Sequence, residues 1–205
     1  MQLMTNPMTA VEALRVDCSY AEIARRLELP SQAYMGLSDS KFNDSQAGAE
    51  SGIGMFLAAL AGINQVSGPG MLDYVNCFSL EKLTLDDEIA AHAHRYIRPV
   101  EVVEDLPTGG LIDTLLEEGH LLMSEHTLEH WPQDLYLPGP MVDRTNWDQW
   151  EMAGEKRFKE NSAGIIDEAL DTYEEPPLEE KLHAEIRQLF ADTCPEEDLV
   201  LPASS

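Results

Sequence analysis

The feature that most constrains this fold is a short apolar segment that ends at a glycine and leads, through a polar turn, into a helix rich in small residues. Residues 32–35 form the apolar segment, and Gly36 permits a backbone turn that a larger residue would resist. Asp44 is placed to cap a helix over residues 45 to about 62. Each glycine inside that helix costs about 1 kcal/mol relative to alanine, a cost that close packing on a sheet would offset. The pattern predicts the strand, loop and helix of an α/β protein.

The same order of elements returns further along the chain. The additional predicted elements are helices over 7–27 (one bent helix or two), 80–97 and 108–118, strands over 63–67 and 120–124, and loops over 68–74 and 125–132. Strands separated by helices predict a parallel sheet with right-handed crossovers. Three such units are too few for a closed (β/α)8 barrel, which takes about 250 residues. We therefore expect an α/β fold that is either part of a barrel or a small open sheet.

The C-terminal part of the chain has a different pattern. The elements predicted beyond residue 143 are helices alone, over 147–159, 163–173 and 178–190. The last helix carries an apolar stripe made of Leu178, Leu182, Ile186, Leu189 and Phe190. Residues 161–205 contain 12 Asp or Glu and 2 Lys or Arg. The sequence therefore predicts an acidic helical extension over residues 143–205, whose stripe packs on another surface.

The charge balance of the chain bears on its partners. It has 38 Asp or Glu against 13 Lys or Arg, a formal net charge of -25. A nucleic-acid partner is not expected, because binding phosphates requires a concentrated Lys and Arg surface. A cationic substrate or a basic protein surface fits this charge, although solubility alone would account for most of it.

Targeting signals and cysteines bear on where the protein resides. The sequence has neither the run of about 18 apolar residues that spans a bilayer nor a basic start followed by an apolar core and a cleavage site. We therefore expect a cytoplasmic protein without a membrane partner. Cys18, Cys77 and Cys194 are odd in number and lack metal-ligand spacing, which favours reduced thiols.

Four stretches of the sequence resemble the C-terminal half of the trimethylamine methyltransferase family. They are residues 36–50 (GLSDSKFNDSQAGAE), residues 57–72 (LAALAGINQVSGPGML), residues 80–89 (LEKLTLDDEI), and residues 120–150, which contain HLLMSEHTLEH, Met141-Val142-Asp143-Arg144 and Trp147 or Trp150. Their order and spacing extend over nearly the whole chain.

This resemblance implies a TIM barrel, of which residues 1–142 would be the C-terminal half, followed by the helical extension over 143–205. It implies transfer of a methyl group from a methylated amine to the cobalt(I) of a corrinoid that a separate protein carries. The expected partners are that corrinoid protein and a small methylated amine. Half a barrel would leave open sheet edges, so we also expect self-association or pairing with the N-terminal half.

The resemblance also implies that the site lies on the loops after the strands. The candidate catalytic residues are Asp39, Lys41 and His126. The candidate residues for binding the substrate or the corrinoid are Gly36, Ser38, Asp44, Gly68, Gly70, Met71 and His130. Carboxylates suit a quaternary nitrogen, which has no proton to donate, and glycines allow close approach. Turn architecture alone would equally explain the glycines, and helix capping would explain Asp44.

The two histidines at positions 126 and 130 have the i, i+4 spacing of a metal-binding pair. Thr127, however, stands where a zincin carries Glu. We expect these histidines to contact substrate or corrinoid, or to make structural hydrogen bonds, without a bound metal. The competing hypothesis is a metal hydrolase in which an acidic residue completes the ligand set.

The sequence also bears on the substrate. Members of the family specific for trimethylamine carry pyrrolysine, and this sequence shows none. The resemblance then implies a quaternary amine such as a betaine. Besides the metal hydrolase, two functions from different classes remain open: a methyltransferase, and a non-catalytic truncated remnant or one piece of a split enzyme.

Overall fold

A computed structural model describes residues 7–101, 108–174 and 180–193. Within these ranges the chain is mostly helical, and its strands are two residues long. The elements are α1 (Val11–Arg26), β1 (Gln32–Ala33), α2 (Ser45–Ala61), β2 (Gln65–Val66), β3 (Met71–Leu72), β4 (Cys77–Phe78), α3 (Leu80–Tyr96), α4 (Thr108–Glu118), α5 (Glu125–Asp134), α6 (Trp147–Met152), α7 (Phe158–Asp171) and α8 (Glu180–Thr193). None of the helices in the described ranges is both long and apolar enough to cross a bilayer. The chain divides into two compact units, Met1–Glu168 and Ala169–Ser205.

The first helix is one continuous element. α1 runs through residues 17–19 without the interruption that the sequence left open. Glu12 lies in its first turn, and Arg25 and Arg26 lie in its last turn. These charges complement the helix dipole at both ends, which stabilises the helix.

The predicted strand, helix and second strand are confirmed. β1 and β2 pair in parallel, with Gln32 opposite Gln65. α2 connects the two strands and ends at Gly62, whose φ of 73° is left-handed. Two loops follow the carboxyl ends of the strands. Loop 1 is residues 36–44, after β1, and loop 2 is residues 67–76, which begins after β2 and includes β3.

One face of the parallel strand pair carries the core of the first unit. The core cluster consists of Leu14, Ala33, Met35 and Ala58. Because side chains alternate along a strand, Gln32 and Tyr34 belong to the opposite face. Gln32 is exposed, and Tyr34 is 46% exposed. Parallel strands are normally covered on both faces. In this pair only the face that carries Ala33 and Met35 is covered.

Loop 2 leads into a hairpin that the sequence did not predict. β3 and β4 pair antiparallel, with Met71 opposite Phe78, and form a sheet separate from the parallel pair. The sequence predicts a loop over residues 68–74 because two glycines and a proline lie at the start of this segment. The hairpin turn instead lies further on, at residues 73–76.

The predicted helix over 80–97 is confirmed as α3, and most of its buried side chains are polar. The Ser79 hydroxyl caps the helix by accepting from the backbone N–H of Lys82 (3.2 Å). The buried residues of α3 are Lys82, Asp86, Glu88 and Ala93. Of the apolar residues whose spacing predicts this helix, Leu80 and Leu83 are 48% and 36% exposed, whereas Leu85 and Ile89 are half-buried. α3 therefore packs on α2 through a largely polar face.

The third predicted strand is wrong. Residues 120–124 form a turn between α4 and α5, and the predicted loop over 125–132 is helical. Gly119 ends α4 with a φ of 75°. The Ser124 hydroxyl accepts from the backbone N–H of Thr127 (3.2 Å) and so starts α5. Helix capping therefore outweighs the apolar run that suggested a strand. The described residues form no closed sheet, and the partial barrel stays a prediction.

The predicted helix over 147–159 is shorter in the structure. α6 starts with a capping box between Asn146 and Gln149. Its continuation is broken by Gly154 and Glu155, which have φ values of 95° and 55°. α7 follows and begins at Phe158, earlier than the predicted residue 163.

The second compact unit contains the end of α7 and α8. The helix predicted over 178–190 is confirmed over α8, and its residues 182, 186, 189 and 190 share one face by helical spacing. Pro176, Pro177, Leu178 and Cys194 lie outside the described residues. The division into residues 1–142 and 143–205 stays a prediction.

Candidate functional site

Loops 1 and 2 are bonded to each other at the carboxyl-terminal edge of the parallel strands. The backbone N–H of Ser38 donates to the carbonyl oxygen of Met71 (3.1 Å). The backbone N–H of Asp73 donates to the carbonyl oxygen of Ser40 (2.9 Å). The two loops that carry most of the predicted site residues therefore form one continuous surface, which we call the paired loops.

Three of the predicted binding residues are glycines that the packing itself requires. A Cβ atom on Gly68 would lie 2.0 Å from the carbonyl oxygen of Met35, so only glycine lets loop 2 pass over the end of β1. Gly36 and Gly70 have left-handed φ values of 72° and 81°. A Cβ atom on Gly70 would also lie 2.5 Å from the Phe78 ring. Contact of these glycines with a ligand stays a prediction.

A network around Glu50 holds loop 1 to α2. The buried Ser38 hydroxyl donates to Glu50 Oε2 (2.5 Å), and the backbone N–H of Asp39 donates to the same oxygen (2.9 Å). Gln46 donates to Oε1 (2.9 Å). Burial alone would raise the pKa of Glu50, but hydrogen bonds from Ser38, Gln46 and Asp39 outweigh it and lower the pKa. The predicted binding residue Ser38 thus has a structural partner.

The carboxylate of Asp39 anchors the segment that precedes α1. Its Oδ1 atom accepts from the backbone N–H of Met8 (3.2 Å). Its Oδ2 atom accepts from the backbone N–H and the hydroxyl of Thr9, at 3.3 and 2.8 Å. Asp39 is 7% exposed. Its oxygens are occupied by neutral donors, so a cationic ligand would have to share them, and the catalytic role of Asp39 stays a prediction.

Asp44 is the N-cap of α2, as predicted. Its carboxylate accepts from the backbone N–H of Ala47 (3.0 Å) and from the Ser40 hydroxyl (3.1 Å). The bond from Ala47 lowers the pKa of Asp44, and the bond from Ser40 adds to this effect. The side chain is exposed, which leaves it open to solvent beside loop 1.

Lys41 joins the two loops at their surface. Its Nζ atom donates to the carbonyl oxygen of Asp39 (2.8 Å), and it lies 3.4 Å from Asp73 Oδ1. The same atom lies 4.3 Å from the centre of the Tyr74 ring. Desolvation would lower the pKa of Lys41, but Tyr74 and Asp73 outweigh it and raise the pKa. The Tyr74 ring therefore already presents its face to a cation.

The turn that carries Tyr74 is strained. Asp73, Tyr74 and Val75 are consecutive and left-handed, with φ values of 48°, 58° and 74°. This conformation is unfavourable for a β-branched residue such as Val75. The backbone N–H of Asn76 donates to the carbonyl oxygen of Asp73 (3.0 Å) and closes the turn. The turn keeps Tyr74 beside Lys41.

A buried ion pair from α3 lies beneath the paired loops. Lys82 Nζ lies 2.5 Å from Asp86 Oδ2, and both side chains are 0% exposed. Lys82 also donates to the Ser51 hydroxyl (2.7 Å) and to the Gly36 carbonyl oxygen (3.4 Å). Asp86 Oδ2 accepts from the backbone N–H of Gly70 (2.7 Å). Burial lowers the pKa of Lys82 and raises the pKa of Asp86.

The two histidines of α5 contact each other. The ring centres of His126 and His130 lie 4.4 Å apart, so both share one face of the helix as their spacing indicates. No three His, Cys, Asp or Glu side chains converge on a possible metal site within the ranges that the structure describes. The metal hydrolase hypothesis thus finds no third ligand there. Contact of the histidines with substrate or corrinoid stays a prediction.

Glu88 anchors the segment after α5 to α3. Its Oε1 atom accepts from the Tyr136 hydroxyl (2.8 Å), and its Oε2 atom accepts from the backbone N–H of Gly139 (2.7 Å). The His92 ring packs edge-on against the Tyr136 ring, with centres 4.8 Å apart. α3 therefore holds this segment through Glu88, and it holds the paired loops through Lys82 and Asp86 on a different face of the helix.

Sequence reasoning missed Glu50, Tyr74, Lys82 and Asp86. The spacing of Lys82 and Asp86 is a local signal of an ion pair on one helix face. Ion pairs with this spacing are usually exposed, so the spacing alone does not predict that Lys82 and Asp86 are buried. Tyr74 carries no local signal, because its position depends on the hairpin turn and on Lys41 across the loops.

The surface of the paired loops suits a small polar ligand. Phe42 is 75% exposed beside Lys41. Asn43 is also exposed and donates to the Ser79 hydroxyl (3.0 Å). Together with the Tyr74 ring, these groups offer aromatic faces for a cation and an ammonium group for an anion.

The chain is similar to known methyltransferases along most of its length. A family model described as trimethylamine methyltransferase matches residues 7–194. The trimethylamine methyltransferase MttB of Desulfitobacterium hafniense (strain DSM 10664 / DCB-2) is 29% identical over 193 residues, which are 94% of this chain and 38% of that protein.

Two further relatives extend this similarity. The glycine betaine methyltransferase of Desulfitobacterium hafniense (strain Y51) is 33% identical over 173 residues, which are 83% of this chain and 36% of that protein. The trimethylamine methyltransferase MttB of Methanosarcina thermophila is 28% identical over 176 residues, 85% of this chain and 36% of that protein. The chain therefore spans less than two fifths of the length of these relatives.

Proposed function

The chain belongs to the trimethylamine methyltransferase family, and on that basis we propose that it is part of a methyltransferase acting on a quaternary amine. The proposed acceptor is the cobalt(I) of a corrinoid carried by a separate protein. The observation that carries this proposal is the family match over residues 7–194. Relatives named for trimethylamine and for glycine betaine both align with most of the chain.

The paired loops support a betaine as the substrate. A betaine carries a quaternary ammonium and a carboxylate. The face of the Tyr74 ring suits the ammonium, because it already takes the ammonium of Lys41 at 4.3 Å. Lys41 would turn to the carboxylate, which pairs with a cation by a charge-assisted hydrogen bond. Trimethylamine has no carboxylate, so it would gain nothing from Lys41.

The parallel strand pair supports the partial TIM barrel. Both loops leave the same edge of the sheet, as the loops after barrel strands do. Gln32 and Tyr34 lie on a sheet face that the first unit does not cover, and further strands would cover it in a barrel. We propose that the remainder of a longer polypeptide, or a separate one, supplies these strands.

The proposed reaction needs binding and orientation from the protein. The methyl carbon leaves its nitrogen, which keeps the electron pair of the broken bond and becomes a neutral tertiary amine. The corrinoid supplies the two electrons of the new cobalt–carbon bond. The task of the paired loops is then to hold the ammonium so that one methyl group faces the acceptor.

The experiment uses a full-length protein. This chain is joined to the N-terminal part of the glycine betaine methyltransferase relative that precedes the matched region. The visible spectrum of a cobalt(I) corrinoid protein reports its methylation, with glycine betaine, proline betaine, carnitine and trimethylamine as methyl donors. We expect methylation by at least one betaine and little by trimethylamine.

The controls separate the alternatives. Lys41→Met should reduce transfer from a betaine about 10-fold or more, because a charge-assisted bond is lost. A folded fusion protein that methylates with none of the amines, while the intact relative is active, would overturn the proposal and favour a non-catalytic remnant. Activity restored by mixing the chain with a separate N-terminal part would instead indicate a split enzyme.

A further inference from the structure

One helix, α3, reaches both of the paired loops through a single pair of side chains. Lys82 Nζ donates to the carbonyl oxygen of Gly36, where loop 1 begins, at 3.4 Å. Asp86 Oδ2 accepts from the backbone N–H of Gly70 in loop 2 at 2.7 Å. Lys82 and Asp86 are joined to each other at 2.5 Å. A continuous chain of hydrogen bonds thus runs from one loop to the other beneath the surface.

Stability alone does not explain this pair. Both side chains are fully buried, and Asp86 Oδ1 has no hydrogen-bond partner within the part of the chain that the structure describes. A buried carboxylate with one bare oxygen is costly. Apolar residues of similar volume often replace a buried ion pair with no loss of stability. The pair is therefore better explained by what it orients than by the energy it contributes.

We propose that Lys82 and Asp86 are positioning residues that set the spacing of loop 1 and loop 2. The loops carry Lys41 and Tyr74, whose separation decides how a zwitterionic ligand fits between them. This inference rests on the proposed function for its catalytic consequence. Displacing either loop by about 1 Å would be enough to lower the rate of methyl transfer about 100-fold.

The test replaces the pair by apolar residues in the double variant Lys82→Met/Asp86→Leu. The matched control makes the same replacements in the exposed i, i+4 pair of α1, Arg26→Met/Glu22→Leu. Amide hydrogen exchange in this chain then reports the loops without any need for turnover. We expect a faster exchange at Gly70 and Ser38 in the double variant and unchanged exchange in the control, with similar unfolding midpoints for both.

A second variant separates the effect of the hydrogen bond between Asp86 and Gly70 from the effect of the negative charge on Asp86. Asp86→Asn retains an oxygen that accepts from the backbone N–H of Gly70, so slow exchange at Gly70 should be kept. Fast exchange at Gly70 in Asp86→Asn, or slow exchange in the double variant, would overturn the proposal.

The catalytic arm uses the full-length fusion protein with a betaine. We expect kcat to fall 10- to 100-fold in the double variant, with a smaller rise in KM, and to recover largely in Asp86→Asn. A double variant with parental kcat and KM would show that the pair is only structural. If the parent fusion protein itself transfers no methyl group, the proposed function fails, and the exchange measurement still decides whether the pair positions the loops.

Discussion

Loops 1 and 2 are held in place by different chemistry, although they meet at one edge of the sheet. Loop 1 is tied to α2 by neutral donors that converge on Glu50, a carboxylate at the margin of the core. Loop 2 is tied to α3 by Asp86, a fully buried carboxylate whose partner is a buried lysine. Hydrogen bonds lower the pKa of Glu50, whereas burial raises the pKa of Asp86.

This difference shows that two carboxylates can both anchor a loop and yet differ in how much stability is lost when one of their partners is removed. Around Glu50, losing one donor leaves the others and some access to water. Around Asp86, losing Lys82 leaves an uncompensated group in the core. We therefore expect the loop 2 anchor to be the more sensitive to mutation and the loop 1 anchor to be the more sensitive to acid.

The largest expected effect is on the loop 2 anchor. Lys82→Met should lower the free energy of unfolding by about 3–5 kcal/mol, because it leaves Asp86 buried without its partner. Arg26→Met, which breaks an exposed ion pair of the same spacing, should cost less than about 1 kcal/mol. Urea unfolding measures both. Equal losses in the two variants would show that burial of the pair does not matter.

Next in size is the packing of α2 against the start of loop 1. A Cβ atom on Gly54 would lie 2.7 Å from the backbone nitrogen of Gly36, so Gly54→Ala should cost about 1–3 kcal/mol. A Cβ atom on Gly48, in the same helix, would meet nothing within 4 Å. Gly48→Ala should therefore stabilise the protein by about 0.5–1 kcal/mol. Thermal unfolding of the two variants should shift in opposite directions, and a shared direction contradicts the close contact.

The loop 1 anchor should show the acid sensitivity. The pKa of Glu50 is lower in the folded state than in the unfolded state, so its stabilisation is full above the unfolded pKa of about 4.3 and is lost as pH falls through the folded pKa. Glu50→Gln should cost about 1–2 kcal/mol at pH 7, and this difference should vanish at low pH.

Urea unfolding between pH 7 and pH 3 measures this change, with Glu129→Gln at an exposed position of α5 as the control. A constant difference between the parent and Glu50→Gln across the whole pH range would rule out the ionised carboxylate as the source of the stabilisation.

The smallest effect on stability is expected at the surface between the loops. Lys41→Met removes an exposed cation from the Tyr74 ring and from Asp73, and should cost less than about 1 kcal/mol. Lys41→Arg should retain most of the interaction. A loss above 2 kcal/mol on urea unfolding would mean that Lys41 is needed for the fold of the paired loops as well as for their proposed ligand.

The parts of the fold that sequence predicted are those with local signals. The cap at Asp44, the small-residue helix after it and the flanking strands of the parallel pair were all readable from neighbouring residues. The prediction of a strand over residues 120–124 was wrong, because it was based on the apolar residues of this segment, whereas Ser124 caps the start of a helix. The sequence did not predict the hairpin of β3 and β4, since its left-handed turn includes Tyr74 and Val75, which rarely adopt that conformation.

The candidate site divides in the same way. Sequence placed Ser38, Asp39 and Lys41 on a loop after a strand, and that placement is confirmed. It did not predict that the Asp39 carboxylate holds Met8 and Thr9. These contacts join residues 31 and 30 positions apart, and no periodicity or capping pattern predicts them.

The sequence by itself determined the family, the capped helix α2 and the loops that follow two parallel strands, because these depend on residue order and on local backbone preferences. Only the tertiary structure decided that α3 buries Lys82 and Asp86 rather than its leucines, and that this pair reaches Gly36 and Gly70. The physical reason is that helical spacing sets which residues share a face. Which face is buried depends on the groups that pack against it, here backbone groups of two loops that offer hydrogen bonds.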